Sequence, residues 1–176
     1  MSGYYIYLIS SLPMLHFGNS LPFSTDKFFK IASGLIPDED LELLKSSCSL
    51  DVCFYQGRRG VLKKWCSFNI ALNNELVKVR ALRKHIDPAR YLRPDGYIDY
   101  GLAHIALASY RNPSLIEAEK TLDQARWNFL DELLLGHYFD LEVLLVYLQK
   151  LRILERWEKI RQASKQALKE EVSLKN

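Results

Sequence analysis

The sequence predicts an all-α fold, an elongated antiparallel bundle of long helices, on three observations. Apolar residues recur every three or four positions over three extended stretches. Capping residues stand before several of these stretches, and glycine or proline breaks follow them. Hydrophobic residues make up 48% of the chain and charged residues 26%, a balance that supports a packed core rather than disorder. At 176 residues the chain reads as one helical domain over 1–176, with sub-lobes 1–93 and 94–176 on either side of a proline-containing linker.

The opening stretch MSGYYIYLISSLPML carries no Lys or Arg before its apolar run. Pro13 interrupts that run well before the ~20 residues a spanning helix needs, so no membrane insertion is expected. Tyr4 to Leu12 is compatible with strand or helix, which leaves room for a minor β element near the N-terminus. Ser24 is placed to cap a helix that Gly34 ends. Pro37 and the acids Asp38, Glu39 and Asp40 open the next, where the helix dipole favours negative charge. Val52 to Tyr55 reads weakly as a short strand, and Gly57 and Gly60 frame a flexible basic loop.

Val61, Trp65, Phe68, Leu72, Leu76, Val79, Leu82 and Ile86 then form one continuous helical face, which Asp87-Pro88 stops. ARYLRPDGY is a linker with a Pro-Asp-Gly turn. The helix of IDYGLAHIALASYR carries Ala103, Ala106 and Ala108, small enough to admit a neighbouring helix closely. Ser114 and Glu117 have capping-box spacing at the start of a helix bearing Leu115, Leu122, Trp127, Leu130 and Leu134. Gly136 falls where a left-handed C-terminal residue belongs, and Asp140 caps the successor, with Phe139 placed to staple onto it. Leu141, Leu144, Leu148, Leu151, Leu154, Trp157 and Ile160 continue as a stripe, roughly 40 Å long if helical to Leu168.

Few side chains suggest chemistry. His137 sits between Gly136 and Asp140, a break that reads as stop, corner, start, with its aromatic pair tucked into the corner. A catalytic histidine would need a nucleophile or an orienting carboxylate, and Asp140 is the natural cap. His104 reads as a helix-packing residue. Cys48, Cys53 and Cys66 lack the paired spacing of structural zinc sites, even with His85 as a fourth ligand, and read as small core residues, free thiols of a reducing compartment. The clustered carboxylates stand at helix starts. Phosphate-loop, nucleophile-elbow and dinucleotide fingerprints are not found. The residues therefore predict no enzyme, with no catalytic, cofactor-binding or metal-ligating set.

Charge is more informative. Between Gln56 and Arg93 ten basic residues face two acids, a local charge of +8 in a chain whose total is +3. A long helix with a cationic end suits an anionic partner, and Arg80, Arg83, Lys84, Arg90 and Arg93 are the expected contact. An acidic protein is the first reading. A basic helical module for nucleic acid is the alternative, although Trp65 and Phe68 lie on the apolar stripe rather than free for base stacking.

Several stretches resemble a known family: YYIYLISSLPMLHFG, FNIALNNELVKVRALRKHID, and NPSLIEAEKTLDQARWNFLDELLLGHYFDLEVLLVYLQKLRILERW. It is an uncharacterised bacterial family encoded within V-type ATP synthase operons of Bacteroidetes and Chlamydiae. The most specific piece is Arg126-Trp127, Phe129 to Leu133, and Gly136 to Leu141. The two long helices are similar in kind to those of the central-stalk socket, the helical subunit that seats the shaft on the rotor, although this chain is shorter. The resemblance implies a non-catalytic structural subunit or assembly factor of a V-type ATPase. Such a subunit couples the soluble shaft to the membrane rotor and takes part in ion transport. The implied partners are rotor and shaft subunits rather than small molecules or nucleic acid. The implied location is cytoplasmic, peripheral to the inner membrane through the complex.

Overall fold

A computed structural model describes residues 5–48, 60–94 and 100–174. The helices α1 (Ile6–Ser11), α2 (Thr25–Ala32), α3 (Asp38–Ser46), α4 (Gly60–Lys84), α5 (Tyr100–Arg111), α6 (Leu115–Leu133) and α7 (Leu141–Leu174) account for most of them. A 3-10 turn, Pro88–Tyr91, lies between α4 and α5. The protein is all-α: among the described residues there is no strand, and the single Ser33–Ile36 bridge is isolated. The ambiguous opening stretch is helical from Ile6 to Ser11. The strand reading at Val52 to Tyr55 falls outside the described residues, as do Cys53, Gly57, Arg58, Arg59 and the Asp95-Gly96 half of the linker turn.

The described residues gather into two compact units, one within Met1–Lys45 and His137–Asn176, the other within Ser46–Gly136. The division does not fall at the linker near residue 93. Asn74 in the middle of α4 explains why: its Nδ2 donates to the Arg93 carbonyl at 2.8 Å, and its Oδ1 accepts from Arg93 N at 3.0 Å. The linker folds back along α4 instead of leaving it.

In the first unit, Ser24 caps α2 by accepting from Lys27 N at 3.3 Å. Gly34, at φ +86°, turns the chain toward α3, whose first turn holds Asp38, Glu39 and Asp40. α2 lies antiparallel to α7: Phe28 stacks on Tyr147 at 5.7 Å between centroids, and Thr25 Oγ1 donates to Glu155 at 2.6 Å. α1 is held by Tyr5, whose backbone N donates to the Phe139 carbonyl at 2.6 Å and whose hydroxyl donates to Asp40. α7, at 34 residues, is about 50 Å long. Leu141, Leu144, Leu148, Leu151 and Leu154 are buried as the stripe required. Leu145, Val146, Gln149, Lys150 and Ile153 are buried too, so the helix is enclosed on nearly every side there.

Tyr147 gives this unit an alkaline limit. Its hydroxyl donates to the Pro13 carbonyl at 3.0 Å, and burial raises its pKa from 10.0 to about 12. The unfolded chain releases this proton first, so the contribution is intact below pH 10 and is lost as pH rises through about 12. Tyr147→Phe is expected to cost about 1 kcal/mol at neutral pH. It should also make the alkaline fall of the unfolding midpoint shallower. Urea titrations across that range check both effects.

In the second unit, α6 is antiparallel to α4. Phe68 stacks on Phe129 with centroids 4.1 Å apart, and Arg126 Nε donates to Asn69 Oδ1 at 3.1 Å. α5 runs in the same direction as α4, because the linker has already returned toward the middle of α4 before α5 begins. Arg83 near the end of α4 meets Tyr110 near the end of α5. Val61, Phe68, Leu72 and Leu76 are buried as the stripe predicted, but Leu82 is 78% exposed and Ile86 45% exposed. The stripe outruns its cover, since Leu115 and Ile116 in the first turn of α6 are also exposed. A second ridge is buried instead: Leu62, Cys66, Asn74 and Ala81. Of the three alanines in α5 only Ala106 is buried. The close approach is made by Ser109, whose Oγ donates to the Ala118 carbonyl at 3.1 Å. His104 is exposed and is not a packing residue.

Candidate functional site

The cationic stretch ends in a built cleft. α4 does not stop at Asp87-Pro88 as its sequence suggests. His85 adopts φ +54°, its N donating to the Leu82 carbonyl at 3.3 Å, while Ile86 N donates to the Ala81 carbonyl at 3.1 Å. This paired closure takes a left-handed residue, usually glycine, and folds the following side chain back against the helix. Asp87 then serves the next turn, accepting from Ala89 N at 3.0 Å. Ile86 and Tyr91 are thereby brought beside α4. With Val77, Arg80, Ala81, Arg83, Lys84 and Tyr110 they line a cleft of about 570 Å3. Replacing His85 by Gly is expected to stabilise the fold by about 0.5–1 kcal/mol, the left-handed penalty less glycine's extra chain entropy. A lower unfolding midpoint would contradict this.

Arg80, Arg83 and Lys84 are brought together at this cleft, all exposed. Arg83 is the ordered one: its Nη1 donates to the Tyr110 hydroxyl at 2.8 Å, and its guanidinium lies 5.9 Å from the ring centroid. Among the described residues no acid lines the cleft. Of the two acids in the stretch, Glu75 is paired with Lys78 at 2.6 Å and Asp87 caps the turn. Arg90 and Arg93 are exposed but do not line the cleft. Arg93 matters through its backbone, which Asn74 holds. Of the apolar side chains that sequence placed on the stripes, Leu82, Ile86 and Leu115 are exposed, and Ile86 lies in the cleft wall beside the cations. An exposed apolar patch rimmed by charge is the usual composition of a protein-binding surface.

The His137 corner is the other candidate. Gly136 takes φ +86° and closes α6 as expected. Asp140 divides its oxygens: Oδ1 accepts from Val143 N at 3.3 Å, and Oδ2 stands 2.5 Å from His137 Nδ1. With Glu142 they form a set whose ligand atoms lie within 4.8 Å of one another. Both Asp140 oxygens are already engaged, and the positive end of the α7 dipole opposes a cation there. The aromatic pair does not fill the corner, as Tyr138 is 74% exposed and Phe139 37% exposed. Phe139 contributes its carbonyl to Tyr5 instead. Cys66 is buried, and it lies about 28 Å along α4 from His85, too far for the two to share an ion. The capping box at α6 is half made: Ser114 Oγ accepts from Glu117 N at 3.3 Å. Its own N donates to Asn112 Oδ1 at 2.9 Å, which leaves no return arm for Glu117.

Fold and site together define an α-helical protein with a cationic, apolar-floored cleft. Residues 101–173 are similar to a family described as a protein of unknown function (DUF2764). No curated protein and no solved structure matches the chain. The matched region contains the motif Arg126 to Leu141, and the packing shows what much of it does. Arg126 pairs with buried Asp123 at 2.7 Å, while Trp127, Phe129, Leu130 and Leu133 are buried. These residues build the scaffold of α6 and its corner, whereas Arg80, Arg83 and Lys84 lie outside the matched region.

Proposed function

We propose that the protein is a non-catalytic subunit or assembly factor that works by being gripped at the end of α4. The resemblance of its helices to a family of V-type ATPase operons supplies the partners: an acidic surface of the soluble central shaft, linked through this chain to the membrane rotor. One observation carries the docking reading. Arg80, Arg83 and Lys84 converge on a cleft that, among the described residues, no acid lines, and exposed Ile86 forms part of its wall. Among the described residues no helix is long and apolar enough to cross a membrane, which fits a membrane contact made only through partner subunits. A stiff α7 of about 50 Å suits the transmission of torque. In a pull-down with purified shaft subunits, the wild-type chain is expected to bind, and a chain with Arg80, Arg83 and Lys84 reversed to Glu is not. Equal capture of both would exclude the cleft as the contact.

A further inference from the structure

We infer that the cleft between α4, the 3-10 turn and the end of α5 accepts an acidic α-helical segment. One large apolar side chain of that segment enters the cleft, and its flanking carboxylates engage Arg80 and Lys84. This deepens the docking reading and rests on it.

The floor and walls select the anchor. Val77, Ala81 and Ile86 are aliphatic, and about 570 Å3 is room for a large side chain together with the backbone that carries it. The cations select what flanks it. Arg80 and Lys84 are four residues apart on α4, so their Cβ atoms are separated by roughly 5–6 Å along one face. Carboxylates one turn apart on a partner helix repeat at the same pitch. Neither Arg80 nor Lys84 has an ion-pair partner among the described residues, so each meets a carboxylate without first breaking a bond. Arg83, held against Tyr110, is less free to follow a ligand and acts as a fixed positive wall.

One feature favours a peptide over nucleic acid. The three cleft cations form one compact cluster, whereas a strand of phosphates requires an extended track. The left-handed His85 supports the cleft structurally, because its conformation sets Ile86 as a wall.

The test uses the full-length chain and fluorescence anisotropy. The probe is a labelled helical peptide carrying one tryptophan and, beside it, two glutamates spaced one turn from each other. Companion probes replace the tryptophan by alanine or the glutamates by lysine, and a labelled RNA and a DNA duplex are titrated alongside. The glutamate–tryptophan peptide is expected to bind, with about tenfold loss for the alanine probe. The lysine probe should show no binding. Ile86→Ala combined with Tyr91→Ala removes apolar walls without touching a charge or a buried residue. It should cost the tryptophan probe about tenfold while leaving the weak alanine probe unchanged.

Equal affinity for the tryptophan and alanine probes would overturn the anchored helix, as would tighter, steeply salt-dependent binding of RNA or DNA. Absence of binding by every peptide would overturn it too. The shaft pull-down reads the wider proposal separately. A shaft retained by wild type and by the Ile86/Tyr91 variant alike leaves docking standing and removes the anchor. A shaft retained by neither wild type nor variant, with peptide binding intact, removes the shaft and keeps the cleft.

Discussion

Reversal of Arg80, Arg83 and Lys84 to glutamate is expected to weaken partner binding by roughly a thousandfold, taking about 1.4 kcal/mol for each reversed contact. The fold should survive. All three side chains are exposed, and among the described residues the hydrogen bond at stake is Arg83 with the Tyr110 hydroxyl. Loss of an exposed contact of this kind costs about 1 kcal/mol or less. The triple variant should therefore keep its helical circular dichroism and nearly its full unfolding midpoint while losing the partner. Raising salt on the wild type should mimic the variant only in part, because an apolar floor is not screened. Complete loss of wild-type binding at moderate salt would point to a purely electrostatic contact.

The second large effect concerns the scaffold. Phe129→Ala is expected to destabilise the second unit by about 3–5 kcal/mol. Phe129 is 7% exposed and Phe68 3% exposed, and their rings lie nearly parallel, 7° apart. Truncation leaves a cavity beneath Phe68 and removes the stacked ring contact between α4 and α6. Given total stabilities of about 5–15 kcal/mol for a domain, such a loss approaches the limit of folding. Urea denaturation followed by tryptophan fluorescence measures it. A shift below about 1 kcal/mol would mean that the aromatic pair is not a keystone of this unit.

Local rules were legible in the sequence wherever the determinant sits within a few residues. Ser24, Ser114 and Asp140 cap as their spacing indicated, Gly136 takes the left-handed conformation assigned to it, and Gly34, read as a helix end, takes it too. The leucine stripe of α7 was legible because large aliphatic residues report burial directly. What failed depended on partners distant in sequence. The second ridge of α4 includes Asn74 and Ala81, a polar and a small residue, and Asn74 is covered by the returning linker that it binds through Arg93. Leu82 and Leu115 look like core residues on any periodic count, yet both stand largely exposed.

The candidate site was half legible for the same reason. Charge clustering identified Arg80, Arg83 and Lys84, but it grouped Arg90 and Arg93 with them, and these two do not line the cleft. The aliphatic floor was invisible because Ile86 was assigned to the buried stripe and Tyr91 and Tyr110 to a linker and a separate helix. The missing signal was the helix stop. A Schellman closure at a histidine rather than a glycine gives no sequence mark, and Asp87-Pro88 two residues later offered a plausible substitute.

The most direct measurement is the affinity of purified central-shaft subunits of a V-type ATPase for the full-length chain, wild type against the Arg80, Arg83 and Lys84 reversal. Docking at the cleft predicts saturable binding by the wild type and roughly a thousandfold loss in the reversed chain, with both chains equally folded. Binding that is the same for the two chains, or absent in the wild type, would contradict it.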